Sequence, residues 1–123
     1  MNYLFVAVGG AFGAILRYGF GSWVSNKWIH AFPLHTFIIN ISGAFLLGFL
    51  NTLFLDKLTV SPEIRLALGI GFIGAFTTFS TFGYENIMLI KDGQLFTAGI
   101  YTLFSIIIGF LGVYLGMELA RLM

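Results

Sequence analysis

Hydroxyl and phenyl side chains alternate within one apolar stretch of the sequence, GAFTTFSTFGYE at residues 74–85. Its hydroxyl residues are Thr77, Thr78, Ser80 and Thr81, interleaved with Phe76, Phe79 and Phe82. Serine and threonine compete for backbone hydrogen bonds, and a glycine in a helix interior costs about 1 kcal/mol relative to alanine. Together with Gly71 and Gly74, this stretch predicts a helix that is broken at membrane depth.

Such a break offers two kinds of ion chemistry. Freed backbone carbonyls can bind a small, hard cation, as in the broken helices of transporters. Phe79 and Phe82 lie three residues apart on one helical face, and the edges of their rings are positive. Ring edges with hydroxyl and amide donors would suit a small, strongly hydrated anion. Ordinary packing is the alternative for these two residues, because the chain has 15 phenylalanines.

Five further polar residues within the apolar segments are candidates for an ion pathway or its charges. Arg17 is expected to snorkel to the interface, to place a positive charge at an anion vestibule, or to tie down backbone carbonyls. Asn40 can donate two hydrogen bonds, either between helices or toward a ligand. Glu85 would lie at a pore mouth or among lipid headgroups. Tyr101 and Ser105 share a helical face, although Tyr101 alone would also suit an interfacial aromatic.

No catalytic constellation is present. The sequence has no cysteine, no Ser-His-Asp set, no pair of carboxylates and no phosphate-binding loop. His30 and His35 flank Pro33, and two histidines alone make a poor metal site, so we expect both to be solvated. The chain is therefore predicted not to be an enzyme.

The composition indicates that lipid surrounds these residues. The chain is 59% hydrophobic and 9% charged, whereas soluble domains average about 25% charged residues. Its mean hydropathy is +0.97, and 123 residues cannot hide so much apolar surface in one core. A net charge of +1 gives no reason to expect nucleic-acid binding. The first segment lacks a basic n-region and a clear cleavage site, which favours a retained helix.

Charges and turn residues divide the chain into four apolar segments, at approximately 2–24, 34–55, 62–90 and 94–117. Each can cross a hydrocarbon layer of about 30 Å as a helix. Ser61 and Pro62 have the residue types of an N-cap and a first helical position. We predict one all-α integral membrane domain of four transmembrane helices, with the third broken. The pairs Gly9/Gly13, Gly10/Ala14 and Gly112/Gly116 would let helix backbones approach closely.

The distribution of positive charge gives little orientation. Lys57, Arg65 and Arg121 lie on one side of four crossings, and Lys27 and Lys91 on the other. This difference in positive charge is too small for the positive-inside rule to indicate an orientation. The chain would either insert one way despite this, or insert both ways and assemble as an antiparallel dimer.

Three motifs carry a family resemblance that extends over nearly the whole chain. GxxGAFTTFSTF at 71–82, GGAFGAILRY at 9–18 and NISGAFLLG at 40–48 together resemble the Fluc (CrcB) family of fluoride ion channels. The resemblance implies a dual-topology antiparallel homodimer in the lipid bilayer, with two fluoride pores. It also implies a structural sodium ion at the dimer interface, held by backbone carbonyls where the third helix breaks. Passive export of cytoplasmic fluoride through the bacterial inner membrane follows from it.

The resemblance also implies roles for individual residues. The sodium carbonyls would come from Gly74 and Thr77 of each subunit. Phe79 and Phe82 would be the pore phenylalanines, and Asn40 would donate to the anion or orient their rings. The remaining pore residues would be Ser80, Thr81, Tyr101 and Ser105. Arg17 and Glu85 match the family's first-helix arginine and the acid after the Phe motif, whereas Ala75 stands where a second glycine is frequent.

Two other classes of membrane protein share some of these features. Small dual-topology multidrug exporters also have four short helices, but they use an acid in the first helix, where this chain has Arg17 and no carboxylate. A non-catalytic subunit that packs on a larger partner would account for the glycines but not for the cluster of hydroxyls and phenylalanines.

Overall fold

The computed structural model describes all 123 residues, and every element in it is helical. In chain order the elements are α1 (Asn2–Ser25), α2 (Leu34–Asp56), α3 (Pro62–Arg65), a π-helical segment (Leu66–Ile73), α4 (Gly74–Phe76), α5 (Phe79–Lys91) and α6 (Leu95–Leu122). Four helical stretches are long and apolar enough to cross a membrane, at Asn2–Ser25, Leu34–Asp56, Pro62–Lys91 and Leu95–Leu122. The prediction of an all-α chain with four membrane-spanning helices is therefore confirmed.

The third crossing begins as its sequence predicts. Ser61 is the N-cap, its hydroxyl accepts the Ile64 N–H at 3.4 Å, and Pro62 follows at the first helical position. Proline suits that position because it has no N–H to leave unpaired.

Glycines bring the helices together in two pairs. α1 packs on the π-helical segment, where a Cβ at Gly9 or Gly13 would overlap the backbone carbonyl of Ala67 or Phe72. α2 packs on α6, where a Cβ at Gly116 would overlap the Phe45 carbonyl. Close packing at Gly9/Gly13 and Gly112/Gly116 is thus confirmed.

Gly10, by contrast, has room for a side chain. A Cβ added to Gly10 would lie 3.8 Å from the Gly71 carbonyl oxygen, an ordinary contact, and Ala14 lines an open polar cavity. The backbones still approach closely at Gly10, because a Cβ at Gly71 would lie 3.1 Å from the Gly10 nitrogen. The prediction of close approach therefore holds at Gly10, whereas Ala14 is exposed and packs on no neighbouring helix there.

Most residues of the single chain are exposed or only partly buried. Only 21 of 123 residues are buried, and the exposed ones include large apolar side chains along every crossing. Apolar surface of this extent needs lipid or a partner protein to cover it.

Candidate functional site

The third crossing changes conformation at two threonines. α4 ends at Phe76, Thr77 is extended at φ −79° and ψ 158°, and Thr78 is extended at φ −151° and ψ 114°. α5 then begins at Phe79, with the Thr78 hydroxyl accepting the Thr81 N–H at 3.2 Å. Extended backbone within a span leaves peptide groups that need new partners.

Asn40 on α2 supplies partners for Thr78. Its Nδ2 donates to the Thr78 carbonyl at 3.0 Å, and its Oδ1 accepts the Thr78 N–H at 2.8 Å. One of the two hydrogens on Nδ2 serves this pair. The amide therefore joins α2 to the third crossing and keeps a second N–H to offer.

These side-chain bonds release two main-chain carbonyls. In a continuous helix the Thr78 N–H would be directed at the Gly74 carbonyl, but it donates to Asn40 instead. The Thr81 N–H would be directed at the Thr77 carbonyl, but it donates to the Thr78 hydroxyl. Gly74 and Thr77 are the residues to which the family resemblance assigns the sodium ion. No group of three or more His, Asp or Glu side chains could hold a metal ion anywhere in the chain.

The break also brings two helix ends of opposite polarity together. α4 ends in carbonyls that carry partial negative charge, and α5 begins with N–H groups that carry partial positive charge. The first end favours a cation and the second an anion.

The two candidate pore phenylalanines differ in exposure. Phe79 is 83% exposed in the single chain, whereas Phe82 is half-buried. Their ring centroids lie 5.8 Å apart with the planes tilted by 46°. Phe82 also meets the Tyr101 ring edge-on, at 5.0 Å and 67°. Apart from this pair with Phe82, the Phe79 ring is left uncovered within the chain.

Both phenylalanines line an open groove of about 450 Å³ between α2, α6 and the break. Its polar lining residues are Asn40, Thr77, Thr78 and Ser105. The Ser105 hydroxyl is buried and has no hydrogen-bond partner. A buried hydroxyl without a partner is rare, so this one invites a ligand or an ordered water.

A second cavity, of about 540 Å³, lies on the other side of the break and is lined mainly by polar and small residues. Arg17 lines it from α1, with Thr78 and Thr81 opposite. Arg17 is partly buried and makes no ion pair within the chain. Its positive charge is thus available to an anion in this cavity. Ser80 is exposed, with its hydroxyl 3.3 Å from that of Thr78.

Glu85 is held among three helices. Its Oε1 accepts from the Thr36 hydroxyl at 2.8 Å, and its Oε2 accepts from the Tyr101 hydroxyl at 2.8 Å. Tyr101 is 0% exposed, so its interpretation as an interfacial aromatic is wrong. Glu85 is not free among headgroups either, because its side chain is only 16% exposed.

The expectation that both histidines are solvated is wrong for His35. Its Nε2 lies 3.2 Å from Glu85 Oε1, and its side chain is 32% exposed. α2 begins one residue earlier, so its first turn carries the imidazole against α5. His30 is exposed, as expected.

Sequence reasoning missed Thr36 and Asn86. Thr36 is 1% exposed, and its hydroxyl donates to Glu85. The sequence signal for Thr36 is a hydroxyl residue at the start of an apolar helix. Asn86 is buried, donates to the Phe82 carbonyl at 3.1 Å and accepts from the Thr102 hydroxyl at 2.9 Å. The sequence signal for Asn86 is an amide side chain inside the third apolar segment.

The chain is similar to a family model and to several curated proteins over nearly its whole length. A family model described as "CrcB-like protein, Camphor Resistance (CrcB)" matches residues 4–117. A protein of Acidobacterium capsulatum named fluoride-specific ion channel FluC is 47% identical over 117 residues, covering 95% of this chain and 94% of that one. Proteins of the same name from a Roseiflexus species (40% over 123 residues; 100% and 99% covered) and Stutzerimonas stutzeri (44% over 117 residues; 95% and 94% covered) are also similar.

Proposed function

Since this chain belongs to the CrcB-like protein family, we propose that it is a fluoride-specific ion channel through which cytoplasmic fluoride leaves the cell passively. The observation that carries the proposal is its identity of 40–47% with relatives named fluoride-specific ion channels, over nearly the whole chain. It is a multi-pass protein of a bacterial membrane and not an enzyme. We place it in the inner membrane, where fluoride must cross to leave the cytoplasm.

The driving force for such export is already present across that membrane. Fluoride that enters as the neutral weak acid dissociates in the cytoplasm and is trapped there. An inside-negative potential favours exit of the anion by about 2.3 kcal/mol per charge per 100 mV. No nucleotide site is required.

In this proposal, fluoride passes along the groove that Phe79 and Phe82 line. The ring edges and the remaining Asn40 N–H replace part of the anion's hydration shell without a cationic side chain that would trap it. The unpartnered Ser105 hydroxyl supports this path because it is a buried donor that faces the groove. Three further residues complete the polar track: Ser80, Thr81 and Tyr101.

The proposed channel is an antiparallel homodimer with two pores. The groove of one subunit is open on one side, and Phe79 is 83% exposed there, so a second copy would both close the pathway and cover that ring. The near balance of positive charge between the two faces agrees with insertion in both orientations. Arg17 and Glu85 would supply fixed charge near the two ends of each path.

A structural sodium ion fits the break. The carbonyls of Gly74 and Thr77 lose their helical donors, and carbonyl oxygen is a ligand that alkali cations accept. Two carbonyls from each subunit would meet at the dimer axis. When bound, sodium supplies a fixed positive charge that holds the two breaks together. Replacement of sodium by N-methylglucamine is expected to lower the thermal stability of the dimer, and unchanged stability would count against the site.

Fluoride efflux from liposomes that contain the purified protein tests the proposed function. A fluoride electrode records release while valinomycin and potassium clamp the potential, and chloride-loaded liposomes serve as the control. We expect rapid fluoride release without chloride release. No release from correctly assembled dimers would remove the channel proposal and direct attention to proton-coupled export of cations.

A further inference from the structure

His35 lines two cavities, one of which is the polar cavity that Arg17 lines. It lines the polar cavity with Arg17, Thr78 and Thr81, and it also lines a smaller cavity with Glu85 and Asp92 along the second half of α5. Its Nε2 shares Glu85 Oε1 with the Thr36 hydroxyl. The imidazole therefore contacts the Glu85 carboxylate, which forms no ion pair with a lysine or an arginine.

That carboxylate is close to the proposed pore. Glu85 Oε2 accepts from Tyr101, whose ring meets Phe82 edge-on with 5.0 Å between centroids. A negative charge in this position repels an approaching anion, and the repulsion is strong because the side chain is only 16% exposed. Neutralising that charge would therefore ease the passage of fluoride along the proposed pathway.

Titratable and charged groups surround His35 from each element packed against it. The titratable and charged groups that face the two cavities or bond Glu85 are Arg17 and Tyr18 of α1, His30 of the first loop, Tyr84, Glu85 and Asp92 at α5 and its C-cap, and Tyr101 of α6. Arg17 keeps one charge at all physiological pH values. Histidine is the side-chain type that can change charge between about pH 5 and 8 in proteins, and the two histidines among these groups are His35 and His30.

We propose that His35 sets the charge of the anion pathway: its protonated imidazole donates to Glu85 and offsets the carboxylate, so fluoride conductance rises as the surrounding pH falls. This inference rests on the proposed function. With neutral imidazole the pair carries a net charge of −1, and with imidazolium it carries none. The proton that binds is exchanged with water in the cavity, and no covalent step is involved.

The test is the fluoride current through the reconstituted dimer in a planar bilayer, between about pH 5.5 and pH 8, a range that brackets the ordinary imidazole pKa. Current is the readout because neutral hydrogen fluoride, which also crosses lipid at low pH, carries no charge. We expect the wild-type current to be about three- to tenfold larger at the acidic end, as for removal of one nearby charge.

Three variants separate charge from shape. His35→Gln keeps a hydrogen-bond donor but cannot be protonated, so its current should stay low and lose this pH dependence. His35→Lys restores a permanent positive charge and should give a current that is high across the whole range. His30→Gln is the matched control, because His30 meets Trp28 edge-on and makes no contact with a carboxylate, and it should keep the wild-type profile.

The outcomes distinguish this inference from the proposed function. A fluoride current with the same pH profile in His35→Gln and wild type overturns the role of His35 but leaves the channel intact. The same conclusion follows if wild type shows no pH dependence. If no variant or wild-type dimer carries fluoride current at any pH, both proposals fall. If His35→Gln does not assemble, the pH profile of the His35→Lys current decides the test. A pH dependence like that of wild type in His35→Lys would contradict the charge argument.

Discussion

The amide of Asn40 pairs with both backbone groups of Thr78, at 3.0 Å from Nδ2 to the carbonyl and 2.8 Å from the N–H to Oδ1. This pair ties α2 to the point where the third crossing leaves helical geometry. It satisfies two peptide groups that lipid could not, and it also diverts the N–H that would have bonded the Gly74 carbonyl. One side chain thus holds the break open and exposes a carbonyl for a cation.

Asn40→Ala is expected to destabilise the protein and abolish fluoride flux. It leaves both backbone groups of Thr78 without partners, and each unsatisfied group costs about 1–3 kcal/mol. Thermal unfolding in detergent and liposome efflux would measure the two effects. Asn51→Ala is the matched control, because Asn51 lies on the same helix, is exposed and makes no side-chain hydrogen bond. Equal stability of the two variants would contradict the role given to Asn40.

Phe79→Ile and Phe82→Ile are each expected to reduce fluoride flux by an order of magnitude or more, while the dimer still assembles. Isoleucine keeps the apolar bulk but has no ring edge to meet an anion, and loss of about 1.4 kcal/mol of stabilisation is already tenfold. Efflux rates and the elution volume of the dimer are the measurements. Phe96→Ile removes an equally exposed ring, 81% exposed at the start of α6, and should have wild-type flux. Unchanged flux in both pore variants would exclude ring-edge binding.

The apolar runs and their caps could be predicted from the sequence. Four long segments with few charges specify four helical spans, and Ser61 with Pro62 specifies where the third one starts. Both features are local, since hydrocarbon thickness and N-cap geometry act on consecutive residues.

The contacts between helices could not be predicted. Asn40 and Thr78 are separated by 38 positions, and Thr36 and Glu85 by 49. The membrane helices are apolar on all sides, so no polar stripe indicates which face of α2 meets α5 or α6. The lack of a stripe also hides the contact of His35 with Glu85. The π-helical geometry of Leu66–Ile73, on which α1 packs at Gly9 and Gly13, also has no sequence signal.

Ser105→Ala is expected to separate stability from conduction. The buried Ser105 hydroxyl has no partner, so alanine removes a desolvation cost and should leave stability unchanged or raise it by about 1 kcal/mol. Fluoride flux should fall severalfold, because the groove loses a donor. Ser42→Ala is the control: its hydroxyl donates to the Ile39 carbonyl at 3.1 Å and lines a different groove, so flux should persist. A destabilised Ser105→Ala with normal flux would assign the hydroxyl a structural role only.

Gly13→Ala is expected to destabilise the protein and reduce flux through the packing of α1. An added Cβ would overlap the carbonyl of Phe72, which lies two residues before Gly74, so α1 or the segment that leads to the break must move. Overpacking of this kind costs about 1–3 kcal/mol. Gly19→Ala is the control on the same helix, because a Cβ added there would have no atom within 4 Å and alanine favours the helix by about 1 kcal/mol. The midpoint of thermal aggregation in detergent should fall for Gly13→Ala and hold or rise for Gly19→Ala. If both variants had the wild-type midpoint, close packing of α1 on the π-helical segment would not be what positions the break.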